Sequence, residues 1–394
     1  MELTSPWRTE LPAEDRATLD PGVGDELPRR ADVVVVGGGI LGTATAAACA
    51  EAGVGSVLLL ERGTLGSGTS QGAAGLLVPE AHAGADPAVL VELGRSGLRR
   101  WRQLEAQVPG GVGLREMDWI ALEPHPPGLL GALDPGVERL DEERVARLAP
   151  GLAHPAPGSR VRQARVNPLM AVARLAAWHR PQVSVATGVE VISVASTGGR
   201  VQSVGTSAGS IATGAVVFAT GEPFPLPGLD LEVPTGRVKG HLLLTAPSEG
   251  AGTSAGLDTG AVLGTGLPGS IGAIATDIGQ GRLLAGGTLD AGDQSSDVRA
   301  EVIAAIRADL VSALPAMADV PLSHAWCCFR PVHPDRLPLV DRVPGLENAW
   351  LTSGHFRTGI LVAPATGDAL AAWITNGRPP PGVAEFGMAR LDPA

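Results

Sequence analysis

Three glycines carry the first sign of chemistry in this chain. Gly37, Gly39 and Gly42 form a G-x-G-x-x-G between a β-branched run, Asp32-Val-Val-Val-Val36, and a small-residue stretch from about Leu41 to Gly53 that reads as a helix. In that setting the first glycine permits a tight turn and the second lets backbone approach a pyrophosphate. The third allows close helix–strand packing, and the helix start turns free N–H groups toward the phosphates. A second apolar run, Ser56-Val-Leu-Leu-Leu60, ends at Glu61, where a carboxylate can accept both hydroxyls of a ribose. Glu61 also disfavours a 2′-phosphate, so the pattern points to NAD or FAD. A metal enzyme is not expected, because the eight histidines show no ligand spacing and no H-E-x-x-H occurs. The chain has no tyrosine, which removes any mechanism needing a phenolic hydroxyl.

Positioning such a site takes a large α/β framework. At 394 residues the chain exceeds what one core supports, about 250–300 residues, so two lobes, or one large α/β domain carrying a second layer, are expected. An apolar fraction of 44% against 18% charged residues excludes global disorder. Glycine (54) and proline (33) are abundant and Lys239 is the one lysine, a composition that also accounts for the missing tyrosine. The net charge of −11, with no basic run, argues against nucleic acid or an anionic membrane as partner. No apolar stretch reaches the roughly 18 residues a membrane span needs. The acidic N-terminus and three cysteines (Cys49, Cys327, Cys328) make the cytoplasm the default expectation.

Along the chain, 1–30 is polar and proline-punctuated and reads as a loose arm. Leu90, Leu93, Leu98, Trp101 and Leu104 mark an amphipathic helix within 87–107. A charged helical stretch is expected around 138–148, and Pro168 opens a helix over 167–180. Short strands follow at 183–185, 188–194, 201–206 and 210–213, then a buried one, Ala215-Val-Val-Phe-Ala219. Helices are expected over 296–314 and up to about Thr375, with a strand at 349–352.

The segment after Glu61, Gly66-Ser-Gly-Thr-Ser-Gln-Gly-Ala-Ala-Gly-Leu76, suits close packing along an extended dinucleotide. With it, the sequence resembles the D-amino-acid oxidase family of FAD-dependent amine oxidoreductases, and glycine and sarcosine oxidases within it. Two later blocks carry the resemblance in family order. One is Phe329-Arg-Pro-Val-His-Pro-Asp-Arg-Leu-Pro338; the other is Gly354-His-Phe-Arg-Thr-Gly-Ile-Leu-Val-Ala-Pro-Ala-Thr-Gly367. The resemblance covers about Asp32 to Thr375. It implies a Rossmann-type FAD-binding domain (31–82, 145–225 and 326–380) with an interleaved antiparallel-sheet substrate domain (83–144 and 226–325).

The resemblance also implies an activity. An amino acid or secondary amine loses hydride to the flavin, its imine hydrolyses, and dioxygen is the expected acceptor. A same-fold amine dehydrogenase and a non-catalytic flavin-bound subunit are the alternatives. FAD contacts are implied at Ile40 and Leu41 beside the glycines, at Arg62 after Glu61, and at Thr69, Ser70, Gln71, Ala73, Ala74, Gly75 and Leu77. Val189, Thr220 and Gly221 match stretches that pack around the dinucleotide. Gly354, Phe356, Thr358, Gly359 and Ile360 match the flavin-facing motif. Arg330 and Arg357 match positions at the substrate side of the flavin, where a guanidinium grips a carboxylate bidentately, and His355 beside Arg357 is implied to line the flavin. An ordinary ion pair is the competing reading for each arginine. Cys328, seven residues before Asp335, matches either a covalent flavin anchor or an inert buried thiol. Glycine oxidases carry a substrate-facing tyrosine and histidine near Ser270-Ile-Gly-Ala-Ile274, and this chain has neither. A more open, apolar pocket for a larger or hydrophobic amine is expected. The lysine with which sarcosine oxidases activate oxygen has no counterpart here.

Overall fold

The Asp32–Val36 run lies in a strand, Arg30–Val36, at the centre of a mostly parallel sheet. Its residues Val33–Val36 pair with Val57–Leu60 on one side and Ala215–Phe218 on the other. Alternate side chains enter two cores. Val33 and Val35 pack with the helical layer, while Val34 and Val36 pack with a β-meander that includes Val191, Val201 and Val204. A strand covered on both faces has no polar side, hence the continuous valine run. The computed structural model describes every residue except 3, 25–26, 84–85, 124–135, 181, 222–225, 227–228, 230, 249–261, 265–273 and 392–394.

In order, this sheet runs Leu339–Arg342, Ala349–Ser353, Gly209–Gly221, Arg30–Val36, Val57–Glu61, Val183–Thr187. The two short strands expected near 210–219 form one strand, Gly209–Gly221, whose first half pairs with the meander and whose second half enters the parallel sheet. Helices Ile40–Glu51, Ala88–Gln107, Pro168–Trp178 and Gly359–Asn376 form the layer on one face. They pack closely through small residues. A Cβ on Gly367 would meet Ala44 backbone at 2.8 Å, and one on Gly97 would meet the Leu361 carbonyl at 2.2 Å. Pro364, inside the last helix, has no N–H for the Ile360 carbonyl. The Trp101 indole donates to that carbonyl instead, at 3.0 Å.

The second sheet is largely antiparallel and crosses the first lobe. Its order is Leu322–Val332, Gly236–Thr245, Leu283–Gly286, Ile274–Asp277, Val262–Gly264, Arg115–Leu122, Gly158–Arg165, Leu76–Leu77. One face, with Leu243, Leu283 and Ala325, packs on helix Ala300–Ala313. The opposite face turns Leu242, Leu284 and Trp326 toward the first lobe. Strands 158–165 and 322–332 belong to this sheet, although the sequence reading divided the lobes at 145 and 326.

Two local expectations are corrected. Around 138–148 a short strand, Glu138–Leu140, precedes a helix, Glu142–Leu148, because Asp141 accepts from Arg144 N at 2.7 Å and caps a helix that starts there. The reading of 1–30 as a loose arm is overturned: Trp7, Leu11 and Leu19 are buried in the main core, and Ala13–Thr18 is helical. Among the described residues no helix is long and apolar enough to cross a membrane, and no group of three metal-ligating side chains forms.

Candidate active site

Helix Ile40–Glu51 starts at Gly39, with no side chain capping its first turn other than Ser70, whose Oγ accepts from Ile40 N at 3.1 Å. That leaves the N–H groups of Leu41 and Gly42 facing outward at the positive end of the helix. Gly37, at φ +109°, lies so close to the neighbouring strand that a Cβ would meet the Ala219 carbonyl at 2.4 Å and Thr220 Cα at 3.1 Å. A Cβ on Gly42 would strike the Gly37 carbonyl at 1.8 Å. Glu61 stands at the end of its strand, its oxygens accepting from Gly38 N at 2.7 Å and Gly63 N at 2.8 Å. A carboxylate has about four lone-pair positions, so it keeps room for ribose hydroxyls. Val189 N donates to the Glu61 carbonyl at 3.0 Å and closes this end. Open helix N–H groups, glycines with no room for a side chain and a fixed carboxylate fit an adenine dinucleotide.

The 66–76 segment lies along the second sheet. A Cβ on Gly72 would meet that of Cys328 at 2.2 Å, and the Cys328 thiol lies 3.2 Å from the Gly72 carbonyl. Burial pushes the Cys328 thiol above its ordinary range. Among the described residues nothing bonds to the N–H of Ala74 or of buried Gly75. Leu77 is fully buried. Thr69 is half-buried, and Gln71 turns its amide back onto the Ser67 carbonyl. Arg62 and Thr220 are exposed, and Gly221 takes φ +72°.

At the other side, Gly354 (φ +65°) stands where a Cβ would meet the His333 ring at 2.1 Å. Phe356 also has positive φ and donates its N–H to the Pro331 carbonyl at 2.9 Å, which ties this turn to strand 322–332. Thr358 caps helix Gly359–Asn376 in sequence only; its hydroxyl goes to the His355 carbonyl. Gly359 and half-covered Leu41 meet there, so two helix starts converge, with Ile360 buried behind. His355 is 5% exposed, and burial pushes its pKa down to about 3, so the ring is neutral. His333 is lowered by the same cause; its ring sits between Ser353 Oγ and the Pro234 carbonyl.

The two arginines separate. Arg357 pairs with Asp86 at 3.0 Å and is partly exposed. Arg330 lies over Gly240, where a Cβ would meet its Nη1 at 2.0 Å, and donates to the Thr288 carbonyl at 2.9 Å. Among the described residues no carboxylate reaches it. Burial and neighbouring Arg357 both act against its charge, burial more strongly. Register puts Cys328, Arg330 and Val332 on one face with Gly240, Val238 and Gly236. On that face lies a cavity of about 480 Å³, lined by Pro234, Val238, Leu289, Val332, Phe356 and others, with no carboxylate among them. Lys239, on the reverse face, is fully buried against Asp293 at 2.8 Å.

The sequence reading missed Thr288, Gly240 and Asp86. Glycine within a strand beside an arginine is a sign of close approach, and Gly240 carried it. The 270–273 segment, where a tyrosine and histidine are missing, lies outside the described residues.

These features define a dinucleotide-binding α/β lobe with a largely antiparallel second sheet packed against it. The chain belongs to the FAD dependent oxidoreductase (DAO) family, whose model matches residues 32–373. Two glycine oxidases are similar to it. That of Pseudomonas putida is 28% identical over 375 residues, and that of Pseudomonas aeruginosa 30% over 372; each alignment covers 88% of this chain and 95% of the relative. The crystal structure of L-proline dehydrogenase from P. horikoshii shares the fold, with a TM-score of 0.80 and 19% identity over 92% of this chain and 98% of that one.

Proposed function

We propose that this chain oxidises a carboxylated amine with an apolar substituent, an amino acid or its N-alkyl counterpart, to the imine. The carrying observation is Arg330: a half-buried, largely desolvated guanidinium, free of any carboxylate among the described residues, on the face of the sheet that meets the 66–76 segment. Burying a cation without a counter-charge is costly, and a substrate carboxylate bound bidentately would supply one. Bound FAD supplies the two-electron acceptor that takes hydride from the carbon bearing the amine.

The side chains do the rest. Arg330 fixes the carboxylate and so places the adjacent carbon. Val238, Leu289, Val332 and Phe356 in the cavity lining accept the substituent. Neutral His355 stays behind the 354–358 turn, with Nε2 3.4 Å from Thr352 Oγ1, so its role is to shape the turn. With no carboxylate in the lining, the amine arrives already neutral, so hydride loss leaves the iminium cation, and water adds to it to give the oxo acid and ammonium or alkylammonium.

A screen of amino acids and N-methyl amines for anaerobic flavin bleaching tests this. Bleaching by apolar amino acids or their N-methyl forms is expected; bleaching only by amines lacking a carboxylate would overturn it. Dioxygen is the acceptor in the first reading. An amine dehydrogenase is the second, favoured by the burial of the one lysine on the reverse face, away from the flavin. Peroxide yield against reduction of an artificial acceptor separates the two.

A further inference from the structure

The family match begins at residue 32, yet the residues before it are built into both lobes. Glu2 N donates to the Ser323 carbonyl and Ala325 N to the Glu2 carbonyl, each at 2.8 Å, which covers the open edge of strand 322–332. Glu10 pairs with Arg282 of the substrate sheet, and Asp15 with Arg174 of helix Pro168–Trp178 at 3.0 Å. Farther on, Leu65 N donates to the Leu19 carbonyl at 2.8 Å, and Gly22 and Thr187 exchange bonds at 2.8 and 3.0 Å. The segment is a strap from the edge of one sheet to the edge of the other.

Trp7 sits at its middle and is 2% exposed. Its indole Nε1 donates to the Ala73 carbonyl at 2.8 Å. Trp326, from the substrate sheet, donates to the preceding carbonyl, Gly72, at 3.0 Å. The two rings meet edge to face, 6.5 Å apart at 77°, and Asn167 Nδ2 holds the Trp7 carbonyl at 3.2 Å. Two consecutive carbonyls of the flavin segment are thus pinned by indoles from elements far apart in the chain. In a trans peptide the N–H points away from the carbonyl of the same plane. Pinning Ala73 O therefore turns the N–H of Ala74 away from Trp7, and this group and the Gly75 N–H have no partner among the described residues.

We infer that Trp7 is a positioning residue for the cofactor: through the Ala73 carbonyl it holds the 72–75 backbone so that the Ala74 and Gly75 N–H groups serve as hydrogen-bond donors to FAD. Apolar burial alone would explain the ring, but not the pairing of both indole N–H groups with adjacent carbonyls of this segment. The strap lies outside the matched region, so the device is carried by this chain's own N-terminus.

Trp7→Phe tests it, because phenylalanine keeps most of the apolar contact and loses the donor. The full chain is stripped of FAD, and FAD affinity, the visible absorption and circular dichroism of the bound flavin, and the apoprotein Tm are measured. The expected result is FAD binding about tenfold weaker with an altered flavin dichroism, the loss of one fixed hydrogen bond, and an apoprotein Tm close to wild type. Unchanged affinity and dichroism with a lowered apoprotein Tm would make Trp7 a core residue only and overturn the inference. Trp7→His, with a ring donor restored, should recover part of the affinity; recovery by Trp7→Leu instead would also overturn it. A wild-type chain that takes up no FAD would remove the cofactor assignment itself, an outcome distinct from either.

Discussion

Two cations, one fully buried and one half-buried, occupy opposite faces of the same pair of strands, and the protein treats them in opposite ways. Lys239 is closed off from solvent and donates to Asp293 at 2.8 Å and Ser295 at 3.1 Å. Arg330, on the reverse face, has the Thr288 carbonyl at 2.9 Å and no carboxylate among the described residues. A buried charge with a counter-ion is a structural element; one without is unstable until something binds it. The difference between the faces teaches where to look for substrate, and four experiments act on it.

The largest effect belongs to Arg330. Arg330→Leu should raise the apparent KM for a carboxylated substrate by about 100-fold, the equivalent of a charge-assisted bond of about 3 kcal/mol. The same change should raise the apoprotein Tm, since a partly desolvated charge with no carboxylate partner among the described residues is removed. An unchanged KM would take Arg330 out of the site, and a lowered Tm would mean that its charge is already compensated.

Across the sheet the signs reverse. Asp293→Asn should lower Tm by several degrees, because Lys239 then stays buried without its counter-charge, whereas Lys239→Met should cost far less. Equal losses in thermal scans would break the contrast between the two faces.

A third effect is set by pH. Buried His355 has its pKa held at about 3, against 6.5 for an ordinary histidine. Between those values the unfolded chain holds more protons, so stability falls as pH drops through the window, by about 1.4 kcal/mol per pH unit for one such group. Above it the contribution is flat. His333 is shifted in the same direction. His355→Phe should flatten the urea-midpoint profile across this window, and an unaltered slope would place the acid sensitivity elsewhere. The smallest change is Gly240→Ala: its Cβ pushes on the flexible end of Arg330, so KM should rise a few-fold with Tm nearly constant. A KM equal to wild type would show that the guanidinium is free to move.

The cofactor lobe was legible because its signals are local. The valine run, the three glycines and Glu61 lie within one βαβ unit, and their periodicity states what each must do. Helix Ala88–Gln107 was read within a residue of its start, since its apolar stripe repeats along one face. The arm at 1–30 was misread for the complementary reason: Trp7, Leu11 and Leu19 are spaced without a period, and only contacts with residues far along the chain bury them. Strand Gly158–Arg165 pairs with Arg115–Leu122, too far along the chain for any local signal to assign it to that sheet.

What the sequence determined by itself is the βαβ cofactor unit, because turn geometry and strand burial act over neighbouring residues. Only the tertiary structure decided that, among the described residues, Arg330 meets no carboxylate while Arg357 and Lys239 are paired. Whether a charge has a partner depends on which distant strands and loops meet it, and no short-range spacing records that.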